Sequence, residues 1–182
     1  MGDDQDRFSG LYAAHYPDVI RFAARRTDAD QARDVAAETF LIAWRRFTEL
    51  PDEPDERLPW LYGVARNVLA NQHRAERRRL RLGARIRSSG RETSTADHAA
   101  GVAASLDARA ALGRLSARDR EVLQLVAWED LDVTGAAAVV GCSPRAFAVR
   151  LHRARRRLEK ALAEPDTGTR GRQGIEMKEA RS

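Results

Sequence analysis

Residues 58–79 (LPWLYGVARNVLANQHRAERRR) constrain the architecture more than any other stretch of the chain. They read as one long helix. Pro59 suits a first helical turn, where its missing N–H is not needed. At about 100° per residue, two stripes separate. Leu61, Ala65, Val68 and Leu69 form an apolar side able to face a core. Trp60, Asn67, Asn71, Arg74 and Arg78 fall close to one line on another side. An aromatic ring, two amides and two guanidiniums on one face can stack on bases, hydrogen-bond their edges and hold phosphates. The same pattern also fits a core tryptophan on a solvated basic helix.

A second segment, residues 131–158, reads as helix, tight turn, helix. Asp132 can cap the first helix, and Gly141 permits the left-handed geometry of a turn. Ser143 followed by Pro144 is a cap and first-turn signal. Phe147, Leu151, Ala154 and Leu158 make the buried stripe of the second helix, and Arg145, Val149, His152, Arg153 and Arg156 lie opposite. Six arginines and no acid occur between Arg145 and Arg157. That is the layout of a major-groove reader.

Strand-like alternation is nearly absent, so the expected fold is all-α. A chain of 182 residues forms one medium or two small domains. The net charge of +5 is modest but uneven: positive charge gathers at 74–91 and 145–157, while Asp3, Asp4, Asp6 and residues 52–56 (DEPDE) are acidic. Local clustering of this kind points to a nucleic-acid partner more than the net value does. Nothing reads as a signal peptide or a membrane span, so no membrane insertion and a cytoplasmic location are expected. Cys142 is the only cysteine, and His15, His73, His98 and His152 show no metal-ligand spacing. No cofactor, metal or catalytic site is therefore expected.

Four blocks in order resemble an extracytoplasmic-function (group 4) sigma factor of the sigma-70 family, a promoter-specificity subunit of bacterial RNA polymerase. FSGLYAAHYPDVIRFAARR is similar to the first helix of the family's region 2. DADQARDVAAETFLIAWRRF is similar to its polymerase-clamp helix, and PWLYGVARN to its −10-reading helix. LSARDREVLQLVAWEDL with the helix-turn-helix is similar to region 4, which reads the −35 element. The resemblance implies two small helical domains joined by a flexible linker. They are region 2-like at 8–79, a linker at 80–105, region 4-like at 106–162, and a flexible tail at 163–182. It implies core RNA polymerase (β′ and β subunits) and promoter DNA as partners; many members are also held by an anti-sigma protein. Asp34, Glu38, Thr39 and Arg45, on the side of the second helix expected to be exposed, would dock on polymerase. Trp60, Asn67, Asn71, Arg74 and Arg78 would meet the −10 element. Arg145, Ala148, Val149, Arg150, His152, Arg153 and Arg156 would meet the −35 element, with Arg145, Arg150 and Arg156 better placed for phosphates. Ala37 stands where the family often has glutamine, and Arg145 and Ala146 where it often has small Gly-Thr residues.

The remaining organisation follows from periodicity. Residues 1–7 are expected to be disordered and 27–33 to form a break. A helix is expected over 34–47, with Phe40, Ala43, Trp44 and Phe47 building the first core. Residues 48–58 (TELPDEPDERL) read as an acidic, Pro-containing loop. About 25 linker residues reach roughly 80–90 Å fully extended but average about 25–30 Å as a free coil. Two DNA modules roughly 17 base pairs apart need about 58 Å. In the second domain Ser116 caps a helix with Asp119 in a capping-box position, and Val122, Leu123, Val126 and Ala127 supply its apolar face. The alternatives are a free-standing, dimeric helix-turn-helix regulator and, with least support, a nuclease using the acids of 52–56.

Overall fold

The computed structural model describes residues 2–86 and 104–163, and every regular element among them is helical. The first domain contains α1 (Gly2–Ala24), α2 (Ala29–Arg45), a 3-10 turn (Phe47–Glu49) and α3 (Pro54–Ile86). The second contains α4 (Ala104–Arg114), α5 (Ala117–Ala127), α6 (Val133–Val140) and α7 (Pro144–Ala163).

Several boundaries differ from expectation for local reasons. Residues 2–7 continue α1 rather than fraying, and Phe8 anchors that end through edge contacts to Trp44 and Phe47 at 5.0 and 6.1 Å. The break before α2 is shorter than 27–33. Asp28 caps the helix by accepting from the Asp30 and Gln31 amides at 3.1 and 2.9 Å. The acidic segment 48–58 is loop only in part, because α3 begins at Pro54. Pro54 takes the early helical role expected of Pro59, and Asp55 and Glu56 favour the positive end of the helix dipole. α3 runs on past residue 79 to Ile86, into the stretch expected as linker. The extension expected of the remaining linker and the tail after 163 lie outside the described residues.

The first core is built from small residues alternating with large ones. Val35, Ala36, Phe40 and Ala43 of α2 meet Val19, Phe22 and Ala23 of α1 and Leu61, Ala65, Val68 and Leu69 of α3. Phe22 and Tyr62 stack with centroids 4.5 Å apart. Trp44 departs from its expected place in this core: it is 45 % exposed, packed at the rim against Phe8. In the second domain Phe147 is fully buried, with Leu151 and Ala154 beside it as expected and Leu158 half-buried. The face of α5 is rotated slightly from expectation. Leu125 is fully buried and Ala127 exposed, while Val122 is buried and Leu123 and Val126 are half-buried.

The capping signals are realised. Asp119 N donates to Ser116 Oγ, which donates to Asp119 Oδ2 at 2.7 Å. Asp132 accepts from Gly135 N at 2.7 Å, and Ser143 from Ala146 N at 3.2 Å. Gly141 (φ 69°) ends α6 in the left-handed conformation, with Cys142 N donating to Ala137 O at 3.0 Å. This is the glycine-ended C-cap that turns the chain sharply between two helices.

The two domains touch. α6 packs on α3 most tightly at Gly135, where an added methyl group would lie 3.2 Å from Asp132 Oδ1 and 3.3 Å from Pro59 Cγ; at Gly63 it would meet Val139 O at an ordinary 3.7 Å. The buried residues of both domains form one continuous cluster.

Candidate nucleic-acid interface

α3 presents three faces. Leu61, Ala65 and Val68 look into the first core. Pro59 and Gly63 face α6, and Arg66 reaches α5. Asn67, Asn71, Arg74 and Arg78 share the remaining face and are all exposed. Arg74 Nη2 donates to Asn71 Oδ1 at 2.5 Å, leaving the amide nitrogen to donate outward. Trp60 begins the same stripe but is half-buried and packs against the core. Its ring therefore serves packing and offers only part of its surface to a base.

On α7, Arg145, Ala148, Val149, Arg150, His152, Arg153 and Arg156 are all exposed. Val149 is an apolar side chain 47 % exposed amid cations, a form suited to a thymine methyl group. Arg157 is differently employed. It binds Asp119 at 2.7–2.8 Å and so ties α7 to the start of α5. The Ser116 hydroxyl and then Arg157 hold the Asp119 carboxyl below the ordinary aspartate value, against its desolvation. Arg150 and Arg153 lie on the same flank of α7 as Arg157, bordering a cavity of about 440 Å³ that Arg66, Arg118 and Glu121 also line.

The α2 surface requires one correction. Asp34, Glu38 and Arg45 are exposed, but Thr39 is fully buried, and its hydroxyl donates to Val35 O at 2.7 Å. It lies one position round the helix from Glu38, enough to turn it into the core, so it cannot touch a partner. Leu41, which sequence reasoning missed, is 47 % exposed on the Asp34–Glu38–Arg45 side. Its spacing of three from Glu38 and four from Arg45 is the signal that could have found it.

The sigma-70 region 2 family matches residues 11–79, and the sigma-70 region 4 family matches residues 105–158. An ECF RNA polymerase sigma factor, SigL of Mycobacterium tuberculosis, is 34% identical over 155 residues, covering 85% of this chain and 88% of its own. The chain belongs to the ECF sigma factors of RNA polymerase. The sigma factor RpoE, solved in complex with the anti-sigma factor NepR from Bartonella quintana, superposes with a TM-score of 0.65 at 26% identity. That match covers 87% of this chain and 98% of RpoE. CnrH, solved with the cytosolic domain of CnrY, gives 0.57 at 27% identity, over 87% and 89% of the two chains. As an ECF sigma factor the chain acts in transcription initiation as a DNA-binding subunit with core RNA polymerase. Among the described residues, no helix is long and apolar enough to cross a membrane.

Proposed function

We propose that the two exposed polar faces divide promoter recognition between them. The α3 stripe of Asn67, Asn71, Arg74 and Arg78, with the edge of Trp60, takes the −10 element. Asn67 and Asn71 offer amides to an unstacked base, and the arginines hold the backbone. The helix-turn-helix of α6 and α7 takes the −35 element. Arg153, His152 and Val149 enter the groove, and Arg145, Arg150 and Arg156 bind phosphates. Asp34, Glu38, Leu41 and Arg45 on α2 dock on core polymerase. The first domain, 8–79, thus serves polymerase and −10 contacts, and the second, 106–162, the −35 contact.

The observation carrying this reading is that one chain of the family exposes both an amide–guanidinium stripe and a basic second helix of a helix-turn-helix, each backed by its own buried face. The chain supplies recognition and no chemistry of its own; polymerase makes the RNA in the cytoplasm. The RpoE and CnrH matches make an anti-sigma protein a partner of the right kind. Reconstitution tests the assignment. Core polymerase with this chain should initiate at a promoter that core alone ignores, and the chain alone should neither transcribe nor cleave DNA with added metal. Tight, palindrome-dependent DNA binding without polymerase would replace the assignment with that of a free-standing regulator.

A further inference from the structure

A cavity of about 340 Å³ is lined by Arg25 and Arg26 just past α1, Arg66 of α3, and Arg118, Arg120 and Glu121 of α5. Cavities of this size hold small ligands. Its charges are poorly matched. Arg66 is answered by Glu121, through Nε at 2.6 Å and Nη2 at 3.2 Å. Arg25 and Arg26 share one acid, Glu129, each at 2.8 Å. Arg120 donates to the carbonyls of Leu112, Gly113 and Leu115, at and just past the end of α4. Arg118 is exposed and pairs with no acid among the described residues. Two acids against five arginines leave three positive charges unanswered.

Arg26 carries a second sign of an unmet acceptor. Its Nη2 is buried with no hydrogen-bond partner among the described residues. Burial lowers its pKa from the ordinary arginine value despite the nearby Glu129 carboxylate. A buried donor without a partner costs free energy that an anion can recover. Ala117 also lines the cavity, so the positive end of the α5 dipole lies at its wall.

We propose that this cavity binds an oligophosphate anion, either an inorganic chain or the phosphate tail of a nucleotide. Guanidinium forks match phosphate oxygens bidentately, and a run of phosphates spreads its charge over several cations. A second cavity, of about 440 Å³, shares Arg66, Arg118 and Glu121 with the first and adds Arg150, Arg153 and Arg157 of α7. Two adjoining arginine-lined spaces suit an extended anion better than a single phosphate ion. Glu121 limits the affinity, because it occupies Arg66 and repels the ligand. The site goes beyond promoter recognition: Arg25, Arg26, Arg66, Arg118 and Arg120 belong to neither DNA face nor to the α2 docking face.

Calorimetric titration of the full chain with sodium tripolyphosphate tests the site, at about 0.15 M salt, where exposed charges more than about 8 Å apart are screened. A single ion should bind per chain, with inorganic phosphate binding more weakly. Arg118→Gln should weaken tripolyphosphate about 10-fold, and Arg118→Lys should recover part of the loss by keeping the charge. Glu121→Gln should tighten binding about 3-fold, the opposite of what a loosened fold would give. Circular dichroism checks that each variant keeps its helix content, and the exposed Arg118 pair decides the matter if Glu121→Gln loses helix. Arg156→Gln, on the outer face of α7, should bind as the unmodified chain does. ATP in place of tripolyphosphate separates the two sources: equal affinity assigns the phosphate chain alone, and tighter binding assigns a nucleotide. No saturable binding to the unmodified chain overturns the proposal. So does binding that Arg118→Gln leaves intact and Arg156→Gln weakens, which would report phosphate capture by the α7 DNA face. Because no promoter or polymerase is present, either result leaves the −10/−35 assignment standing.

Discussion

Two neighbours on α2 should respond oppositely to truncation. Leu41 is 47 % exposed on the Asp34–Glu38–Arg45 side, whereas Thr39 is buried with its hydroxyl on Val35 O. Fully burying a leucine is worth about 1.5–3 kcal/mol, so covering the exposed half on assembly supplies about 0.7–1.4 kcal/mol. Alanine keeps part of that surface, and Leu41→Ala should weaken holoenzyme formation by about 2- to 10-fold. Its thermal midpoint should stay within a degree or two, because the lost atoms faced solvent. Thr39→Ala removes a buried methyl and a hydrogen bond, together about 1–2 kcal/mol, and should lower the midpoint by several degrees. Below that transition its assembly should match the unmodified chain. Competition for labelled core polymerase and thermal circular dichroism measure the two effects. If Thr39→Ala weakened assembly while Leu41→Ala only lowered the midpoint, the assigned docking face would be turned the wrong way.

The other expectations concern the second domain. Arg153→Ala should change which −35 sequence a randomised library yields with polymerase present, a base contact being worth about 1–3 kcal/mol; Arg156→Ala should weaken all sequences alike and reduce the salt slope by about one unit. Identical preferences for the unmodified chain and Arg153→Ala would make Arg153 a phosphate contact. Phe147→Ala empties a fully buried site and should destabilise the second domain by about 3–5 kcal/mol, measured by urea unfolding; a loss under 1 kcal/mol would contradict its central place. The folded Asp119 carboxyl titrates below the ordinary 3.8, so its stabilisation is present above that pH and is lost as the pH falls through the folded value. Asp119→Asn should therefore flatten the acid limb of the second domain's stability curve, and an unaltered limb would remove the Ser116–Asp119–Arg157 account.

What the sequence made legible was local. Asp132, Gly141, Ser143 and Pro144 act within a few residues of their own positions, so the helix-turn-helix could be placed from the string. The α7 stripe of Phe147, Leu151, Ala154 and Leu158 has one partner side and obeys a single period. Thr39 and Trp44 were misplaced because a helix wedged between two others has a broad buried arc, whose edges depend on where α1 and α3 cross it. The start of α3 was missed because two prolines, Pro54 and Pro59, offered competing first turns. The ion pairs that join Arg25 and Arg26, just past α1, to Glu129 in the second domain had no local signal. Arg25, Arg26 and Glu129 are ordinary surface residue types, Glu129 lies more than 100 positions from the two arginines, and only the fold pairs them around a buried carboxylate.

The most direct measurement of the central claim is permanganate reactivity of −10 thymines on a promoter bound by reconstituted polymerase. Core enzyme alone should leave them protected, and core with this chain should make them reactive. Core with Asn67→Ala should bind the same promoter and show markedly less reactivity, since a hydrogen-bonded contact to a base edge is worth about 1–3 kcal/mol. Full reactivity with Asn67→Ala, at equal polymerase occupancy, would contradict the assignment of the exposed α3 stripe to the opened strand.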